Sequence, residues 1–583
     1  MSEVQTVMKL EFLPNEILME CFKYLNALDI FRSFDQLNYR FSKLIRNISL
    51  YLNCQYTCKS TFDQFCMKML SNPDIKIQIR SLHLSNKGKC AVIQTFLSYF
   101  SLYEFFHLRS VTLTGVRQNN VEKLESMLPL MPELLHFHFI DSETTIDKLV
   151  SALLMSKLRT LSVSTLNASL IPMHQISITK LTISLCSLHK LVEILKCLPM
   201  LIYLDVKCVP NERCGWLNNK INFIDHYNIN LKQLVMTELD YTFDDLVMFL
   251  KRTPNLKSLT ISADDNIDMI NGYRWEYLIT SSLPYLDIFK FKFACSHGNK
   301  NNNILDKFEK FQSDFWQEQH HWYTECKLET DSALIYTIPY ISNVYVLTPY
   351  TTRYYNRSIN NTNIFDNVSN LILYQEAITL KGSYHFSNAT SLTLENKLCF
   401  DDVDDQFLKT EHIHFLKMIV KLSNLKHLTI SSTCEIESLL VLLQLLRQTS
   451  QLSSITIQPY RLRSFFNDDE LRKYLNKMIK ILDIYMYPYD SFNSSGEIEQ
   501  FCKILSNIEQ LTCYINQKDH LVFLLKHLSK LSVMRIFLPT LDNRDCFTRW
   551  LKDEARKLKL TLHIDFENKF EKTLCIWIDK TIR

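Results

Sequence analysis

Two pairs of potential metal-binding side chains are the first candidates for chemistry in this sequence. His320 and His321 are adjacent, so their imidazoles would project to different sides of a helix or strand, and no H-E-x-x-H spacing accompanies them. Cys54 and Cys58 could share one helix face, but no second cysteine pair follows at zinc-finger distance. We therefore expect a packed or hydrogen-bonded histidine pair, buried structural thiols and no metal site.

Motifs for nucleophilic catalysis or phosphate binding are also absent from the sequence. It contains no G-x-S-x-G, P-loop or G-x-G-x-x-G motif, and its seven glycines leave little scope for one. We predict that the chain is not an enzyme, that it has no catalytic residues and that it requires no cofactor.

Bulk composition limits the classes of partner and compartment. The 583 residues are 46% hydrophobic and exceed the size at which a single core keeps growing, which favours several domains or a repeat array. The net charge is +3, and no stretch clusters Lys and Arg, so nucleic acid and membrane surfaces are not the expected partners. The 17 cysteines lack framework spacing, and we find neither a signal peptide nor an apolar run of about 18 residues. The expected location is the cytoplasm, the nucleus or both.

The elements that would hold functional residues begin with three short helices near the N-terminus. Pro14 suits the first position of a helix, and Glu16 follows in its first turn. The apolar stripe of this helix consists of Ile17, Leu18, Cys21, Phe22 and Leu25. Asn26 is a plausible N-cap for a second helix, and a third would run through Tyr39 and Ile45. Such short helices bury too little surface to be stable alone, so they need a partner or the following domain.

This segment resembles an F-box. The matching residues are Leu13-Pro14, Glu16-Ile17-Leu18, Phe22, Tyr24-Leu25, Asp29-Ile30 and Arg40-Phe41, whereas Asp35 to Asn38 stand where the family usually has a Val-Cys pair. The resemblance implies docking onto the Skp-type adaptor of a cullin-RING ubiquitin ligase. The residues expected to bind the adaptor are Leu13, Pro14, Glu16, Ile17, Leu18, Phe22, Leu25, Asp29, Ile30, Phe34, Arg40 and Phe41. The alternative is that these helices only cover the end of the following domain.

From residue 79 onward, the spacing L-x-x-L-x-L recurs, mostly at steps of 20 to 30 residues. The triplets begin at Ile79, Leu108, Leu134, Leu158, Ile178, Leu201, Leu231, Leu256 and Leu286, and again at Ile341, Val368, Ala389, Leu425, Leu452, Ile479, Ile508 and Leu531. This period is similar to that of leucine-rich repeats. The predicted fold class is α/β: a helical F-box followed by an irregular solenoid, with parallel strands on the concave face and helices on the convex face.

The predicted domain boundaries follow from these patterns. They are an N-terminal extension (1–9), the F-box (10–50), a helical connector (51–76), the first half of the solenoid (77–295), an irregular insert (296–340) that begins with a loop at Asn299 to Asn303, and the second half with a C-terminal cap (341–583). The Asn ladder of regular repeats is missing, which indicates variable curvature.

The outward residues of the strands form the expected partner-binding face. Many are Thr, a type that strands favour in any case. Aromatic and Arg residues dominate interface energetics and a Lys pair supplies local charge, so the candidates are Tyr203, Asp205, Lys207, Lys290, Lys292, Tyr514 and Arg535. The predicted function is substrate recognition in an SCF-type ubiquitin ligase. The F-box binds the adaptor and through it cullin, the repeats bind an unidentified protein substrate, and other subunits transfer ubiquitin. The alternative is a repeat scaffold without ligase activity.

Overall fold

The structure is a computed structural model. It describes residues 10–55, 57, 59–87, 92–140, 146–154, 157–171, 177–210, 228–296, 301–349, 351–355, 364–378, 384–396, 407–464, 466, 468–484, 495–538, 544–566 and 573–580. The predicted extension 1–9 and Cys58 lie outside these residues. The chain divides into two compact units: unit 1 is Met1–Lys207 with Asn218–Leu231, and unit 2 is Cys208–Leu217 with Lys232–Arg583.

Unit 1 begins with three short helices, as the periodicity predicts: α1 (Asn15–Phe22), α2 (Ala27–Phe34) and α3 (Tyr39–Ile45). Pro14 lies at the N-cap of α1, one residue earlier than expected. The predicted cap of α2 is confirmed, because the Asn26 side chain accepts a hydrogen bond from the Leu28 N–H at 3.4 Å. The core between the helices is aromatic, with ring centroids 5.1 Å apart for Phe22 and Phe34 and 5.5 Å apart for Phe34 and Phe41.

The rest of unit 1 alternates strands with helical return segments. The strands are β1 (Leu50–Asn53), β2 (Ile79–Ser85), β3 (Ser110–Thr114), β4 (His136–Ile140), β5 (Thr160–Val163), β6 (Lys180–Leu185) and β7 (Tyr203–Cys208). The helices are α4 (Lys59–Ser71), α5 (Asp74–Gln78), α6 (Val92–Tyr99), α7 (Gln118–Met127), α8 (Asp147–Leu154) and α9 (Leu188–Cys197). The strands lie side by side in chain order, and those from β1 to β6 pair in parallel. This is the architecture of a repeat solenoid.

Unit 2 repeats the alternation of strands and helices. The strands are β8 (Gln233–Met236), β9 (Ser258–Ala263), β10 (Ile288–Ser296), β11 (Thr324–Leu328), β12 (Ser332–Thr337), β13 (Val344–Leu347), β14 (Thr352–Tyr355), β15 (Asn370–Tyr374), β16 (Ser391–Glu395), β17 (Phe407–Leu408), β18 (His427–Ile430), β19 (Glu435–Ile436), β20 (Ser454–Thr456), β21 (Ile481–Asp483), β22 (Gln510–Tyr514), β23 (Val533–Phe537), β24 (Leu560–Phe566) and β25 (Thr573–Lys580). The helices are α10 (Phe243–Leu250), α11 (Gly272–Ser282), α12 (Asn301–Glu309), α13 (Thr410–Ile419), α14 (Leu439–Gln448), α15 (Pro459–Ser464), α16 (Asp469–Met478), α17 (Ser495–Ile504), α18 (Lys518–His527) and α19 (Arg544–Lys557).

In unit 2, one sheet runs in the order β8-β9-β10-β12-β11-β14 and a second in the order β13-β15-β16-β18-β20-β21-β22-β23-β25-β24, while β17 and β19 form a separate two-stranded sheet. Helices and strands share the second sheet's core, which includes Leu428 and Ile430 of β18 with Leu442 and Leu446 of α14. The apolar positions of the repeat therefore hold strand and helix together, as the L-x-x-L-x-L spacing requires.

The predicted repeat triplets are buried in both units, with one exception. In β13 the inward residues are Tyr345 and Leu347, which pair in register with Leu371 and Leu373. The predicted inward residue Val346 is instead 39% exposed. The triplet predicted at Ile341 is therefore wrong by one residue, because a shift of one position along a strand exchanges its two faces.

The insert brings antiparallel pairing into a sheet that was predicted to be parallel. β11 and β12 are joined by a short turn, and β12 pairs antiparallel with β10. A second hairpin, β24 with β25, adds antiparallel strands at the C-terminal end. The expected loop at Asn299 to Asn303 is also wrong in part, because α12 begins at Asn301; residues 299 and 300 lie outside the described residues. The short connections within the hairpins β11–β12 and β24–β25 explain the antiparallel direction of these two pairs, since a parallel crossover needs a dozen or more residues.

A buried ion pair joins β11 to β14 in unit 2. Arg353 donates two hydrogen bonds to the Glu325 carboxylate, one of them from Nη2 to Oε2 at 2.7 Å, and Tyr336 donates a third to Oε1 at 2.7 Å. The side chain of Glu325 has no exposed area and that of Arg353 is 7% exposed. Burial alone would lower the pKa of Arg353, but the hydrogen bonds and charge of Glu325 outweigh it and raise the pKa above its usual range. Each side chain therefore supplies the opposite charge that the other needs in the core.

Candidate docking and partner-binding surfaces

The three N-terminal helices divide the predicted adaptor-binding residues between a core and a surface. Leu18, Phe22, Ile30 and Phe41 are at most 1% exposed. Leu18 was predicted to bind the adaptor, but the structure buries it, because the inward side of α1 packs against the other two helices. The exposed residues of the set are Pro14, Glu16, Ile17 and Asp29, and the partly buried ones are Leu13, Leu25, Phe34 and Arg40.

The outward side of α1 carries apolar residues. Ile17 and Cys21, at i and i+4, share one face of α1, Tyr24 lies in the turn just after the helix, and all three are exposed. Tyr24 is 83% exposed, and Phe12, just before the helix, is 72% exposed. We call Phe12, Pro14, Ile17 and Tyr24 the docking face. The predicted adaptor-binding residues did not include Phe12 or Tyr24, although Tyr24 is one of the residues that match the F-box pattern.

Arg40 holds the segment that leads into this face. Its guanidinium donates to the Asn15 side chain at 2.7 Å and to the backbone carbonyls of Glu11 and Leu13. These bonds tie the chain before α1 to the start of α3. Arg40 was predicted to bind the adaptor, whereas in this structure its guanidinium positions Phe12 and Leu13.

Asn26 connects the N-terminal helices to the first strand. Besides capping α2, its side chain donates to the Asn53 carbonyl at 2.7 Å and accepts from the Asn53 N–H at 3.0 Å. The same side of the bundle packs Phe31 against Phe65 of α4, with ring centroids 5.5 Å apart, and pairs Asp35 with Lys68. Helix α2 thus covers the end of the repeats.

We expect Asn26→Ala to destabilise the N-terminal helices by about 2 kcal/mol, because it removes a helix cap and two hydrogen bonds to β1. Asn38→Ala is the matched control: Asn38 caps α3 by accepting from the Phe41 N–H at 2.9 Å, and we expect its loss to cost about 1 kcal/mol. Hydrogen–deuterium exchange of the peptide covering α2 measures the difference. Equal protection of α2 in the two variants would contradict the assigned connection.

The residues predicted for partner binding are distributed over both units. In unit 1, Tyr203, Asp205 and Lys207 alternate along β7 and are half-buried or exposed. Burial raises the pKa of Asp205, while Lys207 and a hydrogen bond from Tyr203 act against it. In unit 2, Lys290 is exposed on β10. On the same strand, Lys292 lies 3.5 Å from Asp264.

Tyr514 and Arg535 lie on neighbouring strands of the second sheet of unit 2. Arg535 is half-buried on β23, in register with Thr512. Tyr514 is in register with Phe537 and is only 7% exposed, so it does not belong to an accessible face as predicted.

Three candidate metal-binding side chains lie in the part of the chain that the structure describes, and they are packed or hydrogen-bonded. The His320 ring stacks on Trp322 with centroids 4.1 Å apart, and burial lowers the pKa of His320. His321 lies 3.0 Å, through Nδ1, from the Gln317 carbonyl. Cys54 is buried. Within the described ranges, no group of three His, Cys, Asp or Glu side chains could hold a metal ion. No helix in the part of the chain that the structure describes has the length and apolar character to cross a membrane.

Comparison with known proteins assigns no family to the chain. No protein-family model matches it, and no curated protein matches it in sequence. Among solved structures, it is similar to the crystal structure of the Rad7 and Elc1 complex in yeast, with 13% identity and a TM-score of 0.27, covering 73% of this chain and 86% of that chain. It is also similar to the leucine-rich repeat-containing protein LegL7 from Legionella pneumophila, with 14% identity and a TM-score of 0.20, covering 60% and 90%. Because both TM-scores are low, we assign the fold from the strand pairing described above and not from these structures.

Proposed function

We propose that this chain is a receptor that docks a Skp-type adaptor through its N-terminal helices and selects a protein partner through its repeats. The observation that carries the proposal is the docking face. Phe12, Ile17 and Tyr24 are large apolar side chains, exposed by 72%, 49% and 83%. Ile17 lies on α1, whose opposite side is buried, and Phe12 and Tyr24 lie just before and just after this helix. Side chains of this kind form the desolvated centres of protein interfaces.

The alternative, that the helices only cover the end of the repeats, accounts for a different surface. Covering is done by α2, through Asn26, Phe31 and Asp35. It leaves the docking face of α1 exposed. A helical cover needs a polar outer side, because exposed apolar side chains such as Ile17 and Tyr24 favour association. The F-box resemblance supplies the identity of the proposed partner.

The chain itself contributes proximity rather than catalysis. Bound to the adaptor and through it to cullin, it holds a protein near the subunits that transfer ubiquitin, which raises the local concentration of the substrate. Asn26 and the Phe31–Phe65 contact fix the helices to the first repeats, so the position of the bound protein relative to the adaptor is defined within unit 1.

Co-expression of the full chain with a Skp-type adaptor and a cullin tests this function. We expect all three to co-purify in one complex, and we expect at least one bound protein to become more abundant in cells that lack the chain. A complex with the adaptor that excludes cullin would instead support the scaffold without ligase activity. Failure to retain the adaptor would contradict both forms of the proposal.

A further inference from the structure

Basic residues that are far apart in the sequence are aligned at one edge of the strand ladder in unit 1. The Arg109 N–H donates to the Arg80 carbonyl at 2.8 Å, across β2 and β3. Two strands further on, Arg159 stands at the equivalent position, and its carbonyl accepts from the Lys180 N–H at 3.1 Å. Neighbouring strands are about 4.8 Å apart. The parallel register therefore places Arg80, Arg109 and Arg159 in one row with Leu135, which lies just before β4. Lys180 lies one residue further along, opposite Thr160. We call Arg80, Arg109, Arg159 and Lys180 the basic edge.

The basic edge carries more positive than negative charge. Glu133 lies 3.2 Å from Arg109 and 3.6 Å from Arg80, and is the acidic partner of both. Within the described residues of unit 1, neither Arg159 nor Lys180 has an ion pair, and both are exposed. Burial lowers the pKa of His136, and the positive charges of Lys180 and Arg159 lower this pKa further. Four cations against one carboxylate leave an excess of positive charge at this edge.

The open face beside the basic edge consists of hydrogen-bond donors. Half-buried hydroxyl and imidazole groups lie in register on β2 to β6, namely Ser81, Ser110, Thr112, Thr160, Thr182, His83, His136 and His138. Burial lowers the pKa of both His83 and His138, so each imidazole is neutral at pH 7 and still offers one N–H. Hydroxyls, imidazoles and guanidinium groups together suit a ligand rich in anionic acceptors.

A carboxylate is already bound at one end of the basic edge. Oε2 of Glu133 accepts a hydrogen bond from the Arg109 guanidinium. Oε1 of Glu133 lies 3.0 Å from Nδ1 of His107. These hydrogen bonds lower the pKa of Glu133, His107 first and Arg109 second. The contacts that Arg109 and His107 make with Glu133 are therefore an example of how the basic edge would hold an acidic residue of another protein. This internal example favours a carboxylate-bearing peptide over a nucleic acid.

We propose that the basic edge of unit 1 binds an acidic peptide segment of the protein partner, laid across β2 to β6. The span from β2 to β6 is about 19 Å, and an extended peptide advances about 3.3 Å per residue, so about six residues would cover it. The free cations, Arg159 and Lys180, would take the carboxylates at the β6 end of the peptide. Asp205 on β7 lies beyond this span and would limit how far the acidic segment extends. The bound peptide belongs to the protein partner of the proposed function, and this proposal rests on that function only for the transfer of ubiquitin to the partner.

Fluorescence anisotropy of a labelled peptide of twelve glutamates, added to the full chain at low ionic strength, tests this proposal. The test variant carries Arg109→Gln, Arg159→Gln and Lys180→Gln. The matched control carries Lys232→Gln, Lys257→Gln and Lys426→Gln, which removes the same charge from exposed residues of unit 2. We expect the test variant to bind about tenfold more weakly than the wild type, because each exposed ion pair contributes a factor of a few, and the control to bind as the wild type does. Restoring the charge with Lys at positions 109 and 159 should recover most of the affinity.

Several outcomes would overturn the inference. Equal affinity of the test variant and the wild type, or an equal loss in the control, would show that overall charge rather than the basic edge binds the peptide. Equal binding of a twelve-residue glutamine peptide would remove the role of charge. Tighter binding of a single-stranded oligonucleotide of the same charge would reassign the edge to nucleic acid. Adaptor co-purification, measured on the same test variant, separates the two proposals: loss of peptide binding with retained adaptor binding affects only the basic edge.

Discussion

Arg353→Leu is expected to lower the free energy of unfolding of unit 2 by about 3 to 5 kcal/mol, because it leaves the Glu325 carboxylate charged or protonated in a core without its main partner. Glu325 has no exposed side-chain area, so water cannot replace the guanidinium. The nearest alternative donor, Tyr336, already gives its only O–H to Glu325. Leucine also cannot satisfy the second carboxylate oxygen.

Tryptophan fluorescence in a urea titration measures this loss specifically. All six tryptophans, at 216, 275, 316, 322, 550 and 577, fall within the sequence ranges of unit 2, so their emission reports that unit alone. The control is Lys503→Leu, which removes a pair with Glu499 whose side chains are 70% and 55% exposed. We expect the control to change stability by less than about 0.5 kcal/mol.

A double variant tests whether the two charges of this ion pair depend on each other. Glu325→Leu with Arg353→Leu removes both charges, and we expect it to be more stable than either single variant, because no uncompensated charge remains in the core. An effect of Arg353→Leu as small as that of Lys503→Leu, or a double variant that adds the two single losses, would contradict the assigned dependence of each charge on the other.

The repeat architecture could be predicted from the sequence because each strand buries two alternating positions. Leu259 and Ile261, or Leu428 and Ile430, mark the inward face whatever the rest of the repeat contains. The same rule failed at β13, where Val344 and Val346 imitate the pattern and the aromatic Tyr345 occupies the core instead. The antiparallel direction of the strands at the insert could not be predicted either, because the alternation of apolar residues is the same in parallel and antiparallel strands.

The candidate surfaces could be predicted only in part. Periodicity identified α1 as amphipathic, but it did not show that Leu18 and Phe22 face the helices' own core while Ile17 and Tyr24 face outward. The basic edge could not be recognised at all from local composition. Arg80, Arg109 and Arg159 are separated by 29 and 50 residues in the sequence and meet only through the register of the strands.

The second large effect concerns the docking face. Ile17→Asp with Tyr24→Asp is expected to weaken adaptor binding by about a hundredfold or more, because it places two charges where two apolar side chains would be desolvated. Both side chains point away from the helices' core, at 49% and 83% exposure, so the fold of unit 1 should be retained. Circular dichroism of the variant checks that retention.

The matched control introduces the same two charges at exposed apolar residues of unit 2. Tyr277→Asp and Leu440→Asp replace side chains that are 72% and 64% exposed on α11 and α14. We expect this control to bind the adaptor as the wild type does, since neither residue belongs to the docking face. Equal weakening in the control would show that the effect arises from added negative charge in general.

The most direct measurement of the central claim is the dissociation constant of a purified Skp-type adaptor for the wild-type chain and for the Ile17→Asp, Tyr24→Asp variant, by isothermal titration calorimetry. We predict saturable one-to-one binding to the wild type, with a negative heat-capacity change from buried apolar surface, and no measurable binding to the variant at the same concentrations. Absence of binding to the wild type, or unchanged affinity in the folded variant, would contradict the claim that this face docks the adaptor.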